Sequence, residues 1–217
     1  MKQKRLLIFD LDGTLIDTVG DLNASVNYAL KQFDYPERTI LQTRNDIGNG
    51  VAVLIARSIP YGVENPNYQA CLSVFKDYYK QHYFDLSLPY TNIFETLLSL
   101  KKKGYLLAVV SNKFNEGANK MIKHFFKDIF IYIQGENPPL RTKPSPDMVE
   151  HVLKELHVKK EEALYIGDTE VDYQTAVNSE IDVILVSYGY RTKEQLFCKI
   201  KNAPLIVDAP TDLLKIL

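Results

Sequence analysis

The sequence of 217 residues lacks the features that would tie it to a membrane, a nucleic acid or a disulfide framework. No window approaches the roughly 20 consecutive apolar residues of a membrane-spanning helix. The start, MKQKR, carries the charge of a signal peptide, but the apolar run behind it is LLIF and ends at Asp10. That falls well below the roughly 7–15 apolar residues of a signal h-region. Two cysteines, Cys71 and Cys198, stand in no metal-like spacing. They read as reduced, packed thiols of a cytoplasmic protein. Lys plus Arg number 26 against 27 Asp plus Glu, a net charge of -1. Without a basic excess or a basic run, neither nucleic acid nor membrane is an expected partner. Internal repeats and low-complexity tracts are lacking, and Asn23-Ala24-Ser25 is a sequon match of the kind that arises by chance.

What is there has the balance of a packed globular chain, 46% hydrophobic and 24% charged, at a length that suits one domain or two. Apolar runs bounded by charge read as buried strands: LLIF (6–9), LLAVVS (106–111), ALYI (163–166), IDVILVS (181–187) and LIV (205–207). Between them, TNIFETLLSLKKKG has Ile93, Leu97 and Leu100 on one face, lysines in its last turn and Gly104 as a stop. NEGANKMIKHFF and PDMVEHVLKELH are further amphipathic helices. Strands separated by helices predict an α/β fold, a doubly wound (Rossmann-like), mainly parallel sheet with helices on both faces. From 16 to 86 no strand pattern occurs, and DLNASVNYALKQF, NGVAVLIARSI and NYQACLSVFKDYYKQHYF read as helices. The expected organisation is a core of 1–15 and 87–217 with an all-helical domain, 16–86, inserted after the first strand. SLPYT (87–91) is the return linker, and NPPLRTKPSP (137–146) is an ordered loop. The aromatic YYKQHYF (78–84) is assigned to packing. His82, His124, His151 and His157 fall on helices or their ends, outside every motif.

In an open parallel sheet, ligands bind beyond the carboxyl ends of the strands. LLIF ends in Asp10 and Asp12, which an extended backbone turns to the same side. Gly13 then permits a sharp turn close to a ligand. LLAVV ends in Ser111 and Asn112, where a hydroxyl can donate to a phosphoryl oxygen. Lys143 lies in RTKPSPD, with Pro144 favouring an extended backbone, Ser145 as N-cap and Pro146 as first helical residue. That sets the lysine beside a helix N-terminus, where anions are favoured. ALYI runs into GDTEVD, whose Asp168 and Asp172 share a face if a helix begins there. Each feature alone has a bland reading: an acidic turn, a Ser-Asn turn, an exposed lysine. Together, at successive strand ends, they fit a phosphoryl group. Carboxylates repel phosphate, so the set calls for a divalent cation, Mg²⁺ with carboxylate and water ligands. One carboxylate can attack phosphorus and the other can handle the proton.

In these motifs the sequence resembles the haloacid dehalogenase-like superfamily, mostly Mg²⁺-dependent phosphatases. DLDGT (10–14), Ser111, Lys143 and GDTEVD (167–172) match its four motifs in order, and the helical insert resembles the α-helical cap of one subgroup. The resemblance implies that Asp10 is the nucleophile forming an aspartyl-phosphate. It implies that Asp12 protonates the leaving alcohol, later activates water, and binds metal through its backbone carbonyl. Asp168 would be the other metal carboxylate, supported by Asp172 and Thr14. Ser111, Asn112, Lys143 and Gly13 would bind phosphate. An aspartate at position 12 argues for phosphate chemistry rather than dehalogenation.

Within the superfamily, DLDGTLIDTVGDL, DIGNGVAVLIARSI (46–59), LPYTNIFETLLSLKKKGYLLAVVSNK (88–113) and SYGYR (187–191) resemble the phosphoglycolate phosphatase family. That favours phosphoglycolate, a small phosphorylated metabolite, as substrate of a monomer or weak dimer. Gly48 and Gly50 would open a helix toward the substrate's carboxylate, and Arg44 is an anion partner or a surface arginine. Alternatives are a phosphomutase resembling β-phosphoglucomutase, a pyrophosphatase or nucleotidase of the same superfamily, and a binding protein without turnover. A phospho-acceptor signalling domain places its aspartate on a middle strand and has no helical insert.

Overall fold

A computed structural model describes residues 4–217; residues 1–3, the head of the MKQKR stretch and of the expected 1–15 core segment, lie outside the described residues. The chain runs through β1 (Leu6–Phe9), β2 (Ile16–Asp17), α1 (Val19–Lys31), α2 (Ile40–Asp46), α3 (Val51–Ser58), α4 (Tyr68–His82) and β3 (Leu88–Pro89). It continues with α5 (Ile93–Lys102), β4 (Leu106–Phe114), α6 (Asn115–Phe126), β5 (Tyr132–Glu136), α7 (Asp147–Glu155) and β6 (Ala163–Gly167). It closes with α8 (Glu170–Asn178), β7 (Asp182–Val186), α9 (Lys193–Lys199), β8 (Ile206–Val207) and α10 (Leu213–Ile216). Contacts divide it into two compact units, Met1–Ile16 with Pro89–Leu217, and Asp17–Leu88.

In the first unit the described strands form a sheet in the order β5-β4-β1-β6-β7-β8, and the pairings of β1 with β4 and β6 are parallel. β1 is apolar throughout because both faces of a central parallel strand are covered. Leu6 and Ile8 join Met148, Val149 and Val152 of α7 and Ala176 of α8 in one cluster. Phe9 points the other way and meets Phe130 edge-on at 6.1 Å; Phe130 meets Phe126 of α6 at 5.8 Å, and Phe126 stacks on Phe94 of α5 at 6.4 Å. Helices therefore cover both faces, the doubly wound arrangement expected from the alternation of strands and helices. The chain passes from β1 to β4 on one side and later returns to β6 on the other. The carboxyl end of β1 thus sits where the strand order reverses, the place such sheets offer a ligand.

In the helical unit, Leu22, Val26, Ala29 and Leu30 of α1 are buried, as are Cys71, Leu72, Phe75 and Tyr79 of α4. Tyr28 stacks on Tyr78 at 4.0 Å and Phe75 on Tyr79 at 5.3 Å, the packing assigned to the aromatic run. Asp21 is buried and accepts from the Leu86 amide at 2.9 Å and from the Ser87 hydroxyl, tying the end of this unit to its first helix. The amide of Asn23, in the sequon, donates to the Arg38 carbonyl and to Thr43.

Several elements depart from expectation. β5 was not foreseen: it is the edge of the sheet, partly exposed, and its sequence YIQGE has too little apolar character to stand out. Nor were α2 and α9, each opened by a capping box in which threonine and glutamine three residues on satisfy each other's backbone amides, Thr39 with Gln42 and Thr192 with Gln195. The stretch 16–86 does contain strand, because β2 pairs with β3 in a two-strand ribbon at the two chain crossings. The units accordingly divide at 16/17 and 88/89 rather than at 15/16 and 86/87. β4 runs past Ser111 to Phe114. α7 begins at Asp147, one residue later than read, since Ser145 and Pro146 precede it. Cys71 is buried, but Cys198 is exposed, not packed, because it falls on the outer side of α9. Among the described residues, no helix is long and apolar enough to cross a membrane.

Ile8 belongs to a cluster drawn from β1, α7 and α8, so Ile8→Ala should leave a cavity and lower the unfolding free energy by about 2–5 kcal/mol. Urea denaturation checks this; a loss under about 1 kcal/mol would mean that the packing collapses around the gap.

Candidate active site

β4, β1 and β6 lie side by side, so Ser111, Asp10 and Asp168 emerge at neighbouring strand ends. Lys143 arrives from the loop before α7, and its ammonium donates to Asp10 Oδ1 and Asp172 Oδ1, both at 2.7 Å. Its side chain is 3% exposed. It also lies over the Tyr165 ring, 5.7 Å from the centroid. Asn112 fixes the lysine's backbone: its amide oxygen accepts from Lys143 N–H at 2.7 Å and its amide nitrogen donates to the Lys143 carbonyl at 3.0 Å. The Asn112 side chain, expected among the phosphate binders, is thus committed to positioning. Further along, Arg141 donates from Nε and a terminal nitrogen to Asp147, and the Ser145 hydroxyl donates to the same carboxylate. The loop carrying Lys143 is therefore tied at both ends.

Asp172 is the third residue of α8 and closes its N-terminus. Asp172 Oδ2 accepts from the amides of Asp168 and Thr169 and from the Thr169 hydroxyl, while Oδ1 takes Lys143. Asp168 precedes the helix rather than lying on its face; it accepts from Thr14 Oγ1 at 3.1 Å and from the Tyr190 amide at 2.8 Å. Gly13 is required beside it: its φ is +95°, and a Cβ there would come within 2.4 Å of Asp168 Oδ2. Asp10, Asp168 and Asp172 each bring one carboxylate oxygen within 4.8 Å of the others.

Asp12 does not join that trio. Its carboxylate accepts from Lys113 Nζ at 3.3 Å, and Lys113 is 1% exposed against 17% for Asp12. Asp10 and Asp12 are thus served by different lysines. Lys113 was not singled out in the sequence, although alternation along an extended strand puts it on the side of Ser111. The Ser111 hydroxyl oxygen accepts from the Lys113 amide at 3.2 Å. Tyr165, likewise unforeseen, donates its hydroxyl to the Val110 carbonyl at 3.0 Å under the lysine. Arg191, also unforeseen, is buried and donates from Nε to Glu170 at 3.1 Å.

Burial dominates the electrostatics. It pushes Asp10 up to about 7, with the Asp172 charge adding and Lys143 opposing. Burial likewise holds Asp168 well above the usual carboxylate range, with Asp172 and Asp10 adding. For Lys143 burial disfavours the ammonium, but the Asp10 and Asp172 charges outweigh it and the lysine stays protonated. Four carboxylates against two ammonium groups leave the cluster two positive charges short. An all-oxygen donor set with that deficit fits a hard divalent cation such as Mg²⁺. Asp172 is the most heavily used, with Lys143 on Oδ1 and three donors on Oδ2, whereas Asp10 takes Lys143 on Oδ1 and Asp168 one donor on each oxygen, so Asp10 and Asp168 are the carboxylates better suited to hold it.

The comparisons with known proteins take in residues of both units. The family profile described as "Haloacid dehalogenase-like hydrolase" matches residues 7–186. The chain belongs to that family. Among curated relatives of this hydrolase, phosphoglycolate phosphatase of Vibrio cholerae is 33% identical over 207 residues, covering 90% of each chain. That of Pasteurella multocida is 33% identical over 88% of each. Among solved structures, a provisional phosphoglycolate phosphatase from Lactobacillus delbrueckii subsp. bulgaricus superposes with a TM-score of 0.93 at 34% identity, covering 99% of this chain and 98% of that one. A predicted phosphoglycolate phosphatase from Haemophilus somnus gives 0.89 at 29% identity, with coverage of 100% and 99%.

Arg44, Gly48 and Gly50 belong to the helical unit and are not part of this cluster. Arg44 is half-buried in the last turn of α2; Gly48 and Gly50 have φ of 127° and 82°, and Gly50 is the N-cap of α3.

The raised Asp10 has a consequence for stability. Between its ordinary value of 3.8 and about 7, the folded protein holds a proton that the unfolded chain gives up. Stability of the metal-stripped protein should therefore fall as pH rises through that window. A cation removes the penalty, so Mg²⁺ should raise Tm more at about pH 7.5 than at about pH 5. Thermal melts in EDTA and in Mg²⁺ at both pH values test this, and equal shifts would contradict it.

Proposed function

We propose that this chain is a Mg²⁺-dependent phosphatase that hydrolyses a small phosphate monoester through an aspartyl-phosphate, with phosphoglycolate the favoured substrate. Its setting would be cytoplasmic, as a monomer or weak dimer. The observation that carries the reading is Lys143, buried and bridging Asp10 and Asp172 beside Asp168. Mg²⁺ held by Asp10, Asp168 and the Asp12 carbonyl would offset the repulsion between these carboxylates and an incoming phosphate.

An Asp10 carboxylate oxygen attacks phosphorus, and the ester P–O bond breaks as the new O–P bond forms. The Asp12 carboxyl gives its proton to the departing alcohol oxygen. As a carboxylate it then takes a proton from the water that attacks phosphorus; the bond to Asp10 breaks and inorganic phosphate leaves. Lys143 spends two of its three N–H donors on Asp10 and Asp172, and the third suits a phosphoryl oxygen. The Ser111 hydroxyl accepts from the Lys113 amide and so keeps its own hydrogen for another phosphoryl oxygen. The names of the curated relatives support phosphoglycolate as substrate. Arg44, Gly48 and Gly50 are the candidates for reading its carboxylate.

Asp10→Asn should fold normally and lose at least about 10³-fold in kcat on p-nitrophenyl phosphate. Wild-type turnover by this variant would sink the nucleophile assignment. Phosphate should be released one for one with alcohol; a phosphoryl group retained on the protein and passed to a sugar would favour the phosphomutase. Arg44→Ala should cost more on phosphoglycolate than on p-nitrophenyl phosphate, and equal losses would remove Arg44 from substrate reading.

A further inference from the structure

We propose that Lys113 is the positioning residue for Asp12, the group that aims this carboxylate at the leaving-group oxygen. The inference rests on the reading of Asp12 as acid and base. Lys113 has a side chain 1% exposed and an ammonium 3.3 Å from Asp12 Oδ1. A buried ammonium is costly unless paired, so its position and that of Asp12 are set together. Lys143 cannot do this work, because it is held by Asp10 and Asp172.

The backbone of Lys113 is itself held. Its amide donates to Ser111 Oγ at 3.2 Å, and β4 changes register between Val110 and Phe114 at this point. Gly135 of β5 lies against it: a Cβ on Gly135 would come within 2.7 Å of the Lys113 carbonyl and 2.6 Å of Asn115 Cα. The Gly135 amide donates to Asn115 Oδ1 at 2.9 Å, closing β5 onto the end of β4. The unforeseen edge strand thus buttresses the lysine that orients Asp12. With one carboxylate oxygen on Lys113, the direction of the other is fixed. Its proton passes to the alcohol oxygen as the ester P–O bond breaks, and Lys113 gains and loses none.

The test compares esters that differ in their need for that proton. An alkyl phosphate such as phosphoglycolate must release an alkoxide, a poor leaving group unless protonated; p-nitrophenolate departs without protonation. Values of kcat/KM for Lys113→Met, Lys113→Arg and Asp12→Asn are measured on both, with circular dichroism to confirm folding. Asp12→Asn should lose about 10²–10⁴-fold more on the alkyl ester than on p-nitrophenyl phosphate. Lys113→Met should show the same bias, about 10-fold or more, and Lys113→Arg should recover part of it. If Asp12→Asn is biased and Lys113→Met loses equally on both esters, Lys113 is merely structural and the proposal falls. If Asp12→Asn shows no bias, the acid-base reading of Asp12 fails, and the proposal with it. Should Lys113→Met not fold, Lys113→Gln takes its place, and equal losses on both esters overturn the proposal in the same way.

Discussion

Negative charge gathered in a dry crevice is the constraint on which the rest of the site depends. Asp10, Asp168 and Asp172 meet at the ends of β1 and β6 and the start of α8, shielded from water. Such a group is stable only if each member is paired, neutralised or protonated. Lys143 answers for two of the three, and the packing around it serves that contact. Asn112 grips its backbone, Tyr165 lies beneath it, and Asp147 ties down the loop that brings it in. Burial, with the neighbouring carboxylate charges adding to it, shows in the raised Asp10 and Asp168. A site left short of positive charge is suited to receive a cation, and for the proposed reaction that shortage is the function.

A second division of labour follows. Asp10 and Asp12 leave one strand end two residues apart, yet they answer to different cations. Asp10 sits with Lys143 among the carboxylates, while Asp12 turns to Lys113 and keeps more exposure. In the proposed reaction, the nucleophile needs its charge compensated and its oxygen aimed at phosphorus. An acid and base must exchange protons with alcohol and water, so it cannot be locked into the same cluster. Two lysines from different elements let adjacent aspartates differ.

Much of this was legible in the chain itself. Central strands announce themselves as apolar runs because both faces are buried, and LLIF, LLAVV and ALYI were read correctly for that reason. The polar residues that end them stand out against those runs. The edge strand YIQGE did not announce itself, since an edge needs less apolar surface. The helices α2 and α9 were overlooked although Thr39-x-x-Gln42 and Thr192-x-x-Gln195 carry the capping signature. Lys113 escaped because one lysine after a strand is usually solvated, and nothing local says that the chain buries it. Asn112 was assigned to phosphate because its partner, the Lys143 backbone, lies 31 residues away.

The sequence by itself determined the parallel core, the helical insert and the chemical types available at each strand end. Those depend on local pattern, on periodicity and on side-chain chemistry, which a chain carries at every point. Only the tertiary structure decided which charge meets which. The side-by-side placing of β4, β1 and β6 brings Ser111, Asp10 and Asp168 together, and the loop before α7 delivers Lys143 to Asp10 rather than to Asp12. Pairing across more than a hundred residues is set by strand order and by the cost of burying an unpaired charge, and neither is written in any one segment.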